Sequence, residues 1–310
     1  MLKEPRTLFG RPAMKTPAEQ LDYAKTLENQ GQTRKARKAY NALVHQWGYS
    51  PEAAPAQLGV AALYEKAGHF KEAFQEYQYY IDNFANGTSA EGISYHDLLA
   101  SQFAIANALR SRLGGGWFSS PSVDLVERMY GHIIDNGPDW ERTPESMMLQ
   151  AMCYEEDKAY LDAIPVYEAL VSRYPYSRFK EEAQYRAATC RYRTSLKYPR
   201  DERTLKNALA SLMKAFRDAP SHEMAPETSK RIAEMSANLT AMNFRKAEFY
   251  DKIRHEPDAA ILAYGEFLNL YPTASEAPAA EARIQKLKAE KMQHETLKAI
   301  GQDAPKQEKQ

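Results

Sequence analysis

The sequence predicts an all-α protein, a superhelical solenoid of helical hairpins stacked one after another. Two observations carry that prediction. One alanine follows another by twelve residues, with an aromatic or leucine at fixed offsets behind it: Ala24 and Ala36 with Tyr40 and Leu43, Ala61 and Ala73 with Tyr77 and Tyr80, Ala151 and Ala163 with Tyr167 and Leu170. Turn residues fall between and after these blocks, at Gly31 and Gly68 inside a unit and at Tyr174-Pro175 and Tyr271-Pro272 at its end. Paired small residues let two helix backbones approach closely, and the aromatic four residues on fills the gap to the next pair. Glycine stops a helix where the chain must turn, and proline ends the one before it.

Taken in order, residues 1–16 form an N-terminal extension and 17–296 one solenoid domain. Its first units span about 17–50 and 51–85. The third, about 95–138, takes Ala106 on its first helix and Val126, Tyr130 and Ile133 on its second. The loop between those helices, residues 112–122, is longer than the repeat needs. The fourth unit spans 144–175. The fifth, 180–220, takes Ala187, Ala208, Leu212 and Ala215, with residues 195–204 inserted. The sixth, 226–272, opens with Pro226, which suits a first turn, and a long stripe through Ile232, Met235, Leu239, Met242, Phe249 and Ile253. Such a helix of about 27 residues is ~40 Å long. The unit continues with Ala247, Tyr250, Ala260, Tyr264 and Phe267, with one extra residue placed in its turn. A capping helix over 276–296 closes the array, because end repeats need a polar outer face. The polar tail, 297–310, is expected to be disordered.

The twelve-residue pairing and its aromatic partners resemble the tetratricopeptide repeat, a pair of antiparallel helices. Residues 239–287 carry a closer likeness: a long lead-in helix, then Ala247-x-Phe249-Tyr250, then Ala259-Ala260-Ile261-x-x-Tyr264, then Tyr271-Pro272 and an alanine-rich cap. That arrangement is similar to the BamD-type outer-membrane assembly lipoproteins. Tyr174-Pro175-Tyr176-Ser177 and the 112–122 insertion also look like that family. The resemblance implies a periplasmic repeat protein working with the barrel-insertion machine of Gram-negative bacteria. Members carry a lipidated N-terminal cysteine behind a signal peptide, whereas the first cysteine here is Cys153. The family also usually has five repeats against six here. A trimmed mature form and a soluble relative both stay open.

Composition narrows the function classes. The 310 residues hold 41 Lys and Arg against 41 Asp and Glu, so a dedicated nucleic-acid binder, with its strong basic excess, is not expected. The balance is uneven along the chain: +5 over residues 1–50, −5 over 51–100, −5 over 101–175, +6 over 176–220 and −1 beyond. Alternating sign suits an elongated surface that meets different partners with different charge. Two cysteines exclude a disulfide scaffold and a four-cysteine zinc site. Cys153 and Cys190 read as buried apolar thiols. The seven histidines are scattered with no metal-ligand spacing, and Gly114-Gly115-Gly116 lacks the lysine of a phosphate loop. No cofactor and no catalytic residues are expected.

Candidate contact residues come from repeat geometry. The inner groove of such a solenoid is lined by first-helix residues three before, one after, and four to five after the small alanine. That selects Phe103, Asn107 and Arg110; Met148, Met152, Glu155 and Glu156; and Gln184, Arg191 and Tyr192. Methionines and aromatics beside charges of both signs make an adaptable surface for a peptide or helix; packing within the superhelix is the other reading of the same positions. Trp117 and Phe118, on the glycine-rich insertion, either fold back on the solenoid or meet a partner. Arg186, Arg191, Arg193, Lys197, Arg200 and Arg203 interleave with Tyr185, Tyr192 and Tyr198, as a solvated face or a face paired with neighbouring repeats, as a contact for an acidic protein, or as a contact for nucleic acid.

The expected function is therefore a non-catalytic protein-interaction scaffold, in a barrel-assembly complex on the periplasmic side of the outer membrane if the resemblance holds. It would meet the membrane only through a lipid anchor absent from this sequence. The alternative is a soluble cytoplasmic adaptor that binds a partner peptide. Far-UV circular dichroism is expected to be dominated by helix; appreciable strand signal would sink the architecture.

Overall fold

The structure, a computed structural model, describes residues 11–85, 93–113 and 121–302, with side chains to residue 297. Trp117 and Phe118 lie outside the described residues. Every regular element among the described residues is helical. In order they are α1 (Pro17–Asn29), α2 (Thr33–Gln46), α3 (Ala53–Lys66), α4 (Phe70–Phe84), α5 (Tyr95–Arg110), α6 (Val123–Asn136), α7 (Thr143–Glu156), α8 (Tyr160–Arg173), α9 (Lys180–Ser195), α10 (Glu202–Asp218), α11 (Ala225–Glu248), α12 (Pro257–Leu270) and α13 (Ala277–Gln302). They pair as six hairpins of tetratricopeptide type followed by a capping helix, which runs on to Gln302. Residue contacts group into two compact units, Met1–Cys190 and Arg191–Gln310.

In the first unit each helix from α1 to α8 packs on the next in sequence. The paired alanines sit at those contacts: Ala24, Ala36, Ala61, Ala73, Ala151 and Ala163 are completely buried. A methyl group there lets backbones approach near the short end of the ~8–10 Å interaxial range. Gly59 takes the same logic further. A Cβ at Gly59 would lie 2.8 Å from the Tyr40 ring, so this position on α3 must be bare for the ring of α2 to lie across it. Buried amides tie the hairpins together as well. Gln20 donates to the Ala39 carbonyl at 3.0 Å and Gln57 to the Glu76 carbonyl at 2.9 Å, each reaching from a first helix to its own second helix.

Cys153 and Cys190 are buried free thiols, as their apolar setting in the repeat predicts. Burial pushes the Cys153 thiol up to about 11, in spite of the Arg110 guanidinium beside it.

In the second unit α10, α11, α12 and α13 pack in succession. The long lead-in helix forms, with Met235 and Leu239 buried and Pro226 in its first turn, but Phe249 and Ile253 of the expected stripe are exposed, because the π-helical stretch turns them off the packed face. The extra residue of the sixth hairpin is placed differently from the expectation. It lies inside the helix, where Phe249–Ile253 forms a π-helical stretch that continues α11. The wider turn absorbs one residue without lengthening the loop, and so Asp251 still faces inward, nearly buried.

The turn inside each hairpin needs a left-handed residue. Gly31 and Gly68 adopt φ of 71° and 74°, while the corresponding turns of the fourth and sixth hairpins use Lys158 at 61° and His255 at 53°. Non-glycine residues there carry a cost of roughly 1–2 kcal/mol. Nothing lies within 4 Å of a Cβ placed on Gly68, so only backbone conformation is at stake. Gly68→Ala is expected to destabilise by about 1 kcal/mol, and Lys158→Gly to stabilise by a few tenths to about 1 kcal/mol. Denaturant midpoints of the two variants, moving in opposite directions, check this.

Candidate functional site

The inner positions selected by repeat spacing divide into two kinds. Phe103 and Met148 belong to the core, which corrects their assignment to an open groove: they are 1% and 3% exposed. Phe103 meets Tyr130 and Trp140 edge to face, at 6.1 and 5.8 Å between centroids, and Arg142 covers its ring at 4.0 Å. The physical reason is apolar bulk. At the offset three residues before the small alanine, Phe103 and Met148 are large apolar side chains taken into the packed core, while Gln184 at the same offset stays half-buried.

The remaining positions of the first unit form a polar row. Asn107 is half-buried and accepts the Tyr130 hydroxyl at 2.6 Å. Arg110 pairs with Glu156, linking the third hairpin to the fourth. Glu155 accepts the Tyr167 hydroxyl at 3.0 Å and the Arg186 guanidinium at 3.2 Å, and Arg186 also pairs with Glu182 at 2.8 Å. Burial alone would depress Arg186, but the Glu182 hydrogen bond and the nearby Glu155 charge outweigh it and hold the guanidinium above its ordinary value. Met152 and Gln184 are half-buried beside this row, with Met152 packed on the core around Tyr167. Only Glu156 is substantially open to solvent, with 43% of its side chain exposed.

Arg191 and Tyr192 belong to the second unit, where both join neighbouring helices. Arg191 donates to the Ser211 hydroxyl on α10 at 3.3 Å, and Arg231 of α11 lies 5.3 Å over the Tyr192 ring.

Behind the row stands a pattern that the sequence reading passed over. In five of the six hairpins a tyrosine four residues after the small second-helix residue (alanine, or Val126 in the third) donates its hydroxyl to a polar side chain on the first helix of its own hairpin. The pairs are Tyr40 to Glu28 at 2.7 Å, Tyr77 to Glu65 at 2.8 Å, Tyr130 to Asn107, Tyr167 to Glu155, and Tyr264 to Asp251 at 3.2 Å. The signal was present as a carboxylate four residues after the first alanine in four of the hairpins. Asp251 shows the pattern at full strength. It also takes two hydrogen bonds from Arg283 of α13, both at 2.7 Å, and that pairing holds its carboxyl below the ordinary range. Glu127 was missed too: it accepts from Gln150 at 2.8 Å and from Tyr154 at 2.6 Å, joining α6 to α7.

The row offers hydrogen bonds and charges of both signs, in a chain whose described residues hold no cluster of three or more His, Cys, Asp or Glu able to bind a metal. Among them, also, no helix is long and apolar enough to cross a membrane. Residues 138–299, more than half of the chain, match the model of the YfiO outer membrane lipoprotein family. The chain belongs to that family. In this YfiO-family protein, residues 21–88 additionally match a tetratricopeptide-repeat model, and the 112–122 insertion lies outside both matches.

No curated protein matches the chain. Solved structures similar to it include YrrB, described as a tetratricopeptide-repeat protein with an unusual peptide-binding site, at 17% identity over 68% of this chain and 90% of that one, with a TM-score of 0.32. The tetratricopeptide domain of P58(IPK) is 15% identical over 86% and 77%, with a TM-score of 0.33. A repeat protein from Parabacteroides merdae is 10% identical over 88% and 98%, with a TM-score of 0.31.

Burial, first of all, pushes the phenols of Tyr40, Tyr77, Tyr130 and Tyr167 well above their ordinary value, and Tyr264 up to about 12. A phenol raised in the folded state stabilises the fold fully below the unfolded value of ~10 and loses that contribution as pH climbs through the folded one. Alkaline titration is therefore expected to show tyrosinate absorbance at these positions rising together with loss of helix. Tyr167→Phe is expected to cost about 0.5–1.5 kcal/mol at neutral pH. Smooth ionisation near pH ~10 with helicity intact would contradict the buried pairs.

Proposed function

We propose that this YfiO-family protein is a non-catalytic scaffold of outer-membrane β-barrel protein assembly, acting on the periplasmic side of the outer membrane. The family match over residues 138–299 is the observation that carries the reading. Two features of the chain fit it. Its polar groups form structural pairs between helices, a pattern suited to presenting a stiff surface. Its inner row carries two arginines among three carboxylates, Arg110, Glu156, Glu155, Arg186 and Glu182, which favours a partner segment carrying both signs and selects its register more than its raw affinity. The mechanism is binding: a preformed helical surface holds a protein partner with little reordering of its own backbone.

The experiment is capture of partners from bacterial envelope extracts by the tagged, lipid-anchored protein, compared with the double swap Arg110→Glu with Glu156→Arg. The swap keeps an ion pair between the third and fourth hairpins but reverses the charge order. Its thermal midpoint is measured alongside, because Arg110 is only 22% exposed and the swap must be shown to stay folded. Recovery of barrel-assembly components is expected with the parent and about tenfold weaker capture with the swap. Recovery of cytosolic partners alone would move the protein to the soluble-adaptor reading. Equal capture by a folded swap would remove this row from the contact.

A further inference from the structure

The α10 helix and the loop that leads into it form an exposed surface rich in cations. The helix is strongly two-sided. Leu205, Ala208, Leu212 and Ala215 are buried. On the opposite side Arg203, Lys206, Asn207, Ala210, Met213, Lys214 and Arg217 are all exposed. At 100° per residue these seven positions fall within an arc of about 120°, and the arc holds cations and neutral residues with no carboxylate. The carboxylates of the helix stand at its borders, Glu202 pairing with Lys206 at 2.5 Å and Asp218 with Arg217 at 3.4 Å. Among the described residues no salt bridge is formed by Arg203, Lys214 or Arg200, although Asp201 stands beside Arg203 and accepts its backbone N–H at 3.1 Å. The loop before the helix adds Lys197 and Arg200 together with Leu196 and Tyr198, which are 58% and 56% exposed; Met213 on the helix is 52% exposed.

We infer that this face docks on an anionic phospholipid bilayer. A convex helix face about 25 Å long that presents cations in one plane matches a planar negative surface, whereas a peptide needs a groove. Each Lys or Arg brought to such a surface contributes about 1 kcal/mol, or about fivefold in partitioning. The exposed leucine, tyrosine and methionine among the cations strengthen the case for lipid over an acidic protein or a nucleic acid. Tyrosine and apolar side chains gain at the headgroup boundary, where one end of the residue stays wet. The contact supplies a second hold on the membrane beyond any lipid anchor, and would orient the repeats against the bilayer. It stands on the charge and exposure of this face, and it is tested apart from the assembly reading.

The test uses the chain without lipid modification and extruded vesicles of phosphatidylcholine, with and without phosphatidylglycerol, read by flotation. Binding is expected only to the phosphatidylglycerol vesicles and is expected to fall steeply with added salt. Arg203→Glu, Lys214→Glu and Arg217→Glu together are expected to lower partitioning by at least about a hundredfold, from the fivefold contribution of each cation. Leu196→Ser with Tyr198→Ser should weaken binding several-fold and leave the salt dependence in place. The milder pair Lys214→Gln and Arg217→Gln, on exposed positions, gives a second reading should the triple variant lose helix. No binding to phosphatidylglycerol vesicles, equal binding to both vesicle types, or unchanged binding by the folded variants overturns the proposal. Capture of an acidic protein by a chain that ignores the vesicles overturns it in favour of a protein partner.

Discussion

Most of the hairpins depend on one constraint: a tyrosine ring buried where two alanine-lined helices touch. Ala36, Ala73, Ala163 and Ala260 are fully buried, and the tyrosine four residues after each fills the space that the methyl groups leave. An aromatic ring is a large apolar gain, but its hydroxyl must keep a partner when water is removed. The first helix supplies that partner one turn past its own alanine. Three requirements thus fall on one spot: close backbones, a large ring, and an acceptor within reach. Much of what looks like charge on the inner face is held in place by this need.

The exceptions follow the same physics. In the third hairpin the position four after the first alanine is Arg110, and the Tyr130 hydroxyl turns instead to Asn107. The arginine, released from that duty, reaches to Glu156 of the next hairpin. In the fifth hairpin the second-helix position is Leu212, which needs no acceptor, and the corresponding first-helix residue is Arg191, a donor to Ser211. In the sixth the carboxylate is kept although the alanine spacing has grown by one. The π-helical stretch takes up that residue, so Asp251 meets both Tyr264 and Arg283. A position that holds an acceptor for the phenol in four of the hairpins, and an arginine that reaches to a neighbouring helix in the other two, is a stability device first. Partner contact is left to what remains exposed.

That division explains why the candidate site was only partly legible. Offsets from the small alanine picked out Asn107, Arg110, Glu155 and Glu156, which the structure sets side by side in hydrogen bonds and ion pairs, because helical periodicity decides which residues share a face. The same offsets also selected Phe103 and Met148, which are buried in the core. Burial by a neighbour depends on the angle between hairpins, and a residue count within one helix does not contain that angle. The Tyr–carboxylate pairs went unread for a related reason: each joins residues about twelve or more apart on antiparallel helices, and a carboxylate on an amphipathic helix looks like an ordinary solvated charge until its partner is placed.

The sequence by itself determined the helices, their hairpin pairing and the spacing of the core. Small and aromatic residues at fixed offsets are local requirements, met within one unit of the repeat. It also determined the family, since the packing positions from the long lead-in helix to the alanine-rich cap form one contiguous pattern. Tertiary structure alone decided which charges are consumed and which are free. Glu155 and Arg186 are 31 residues apart and neutralise one another across two hairpins, while Arg203 and Lys214, no different in kind, face solvent. Electrostatic pairing is a matter of distance in space, and only the packed helices set that distance.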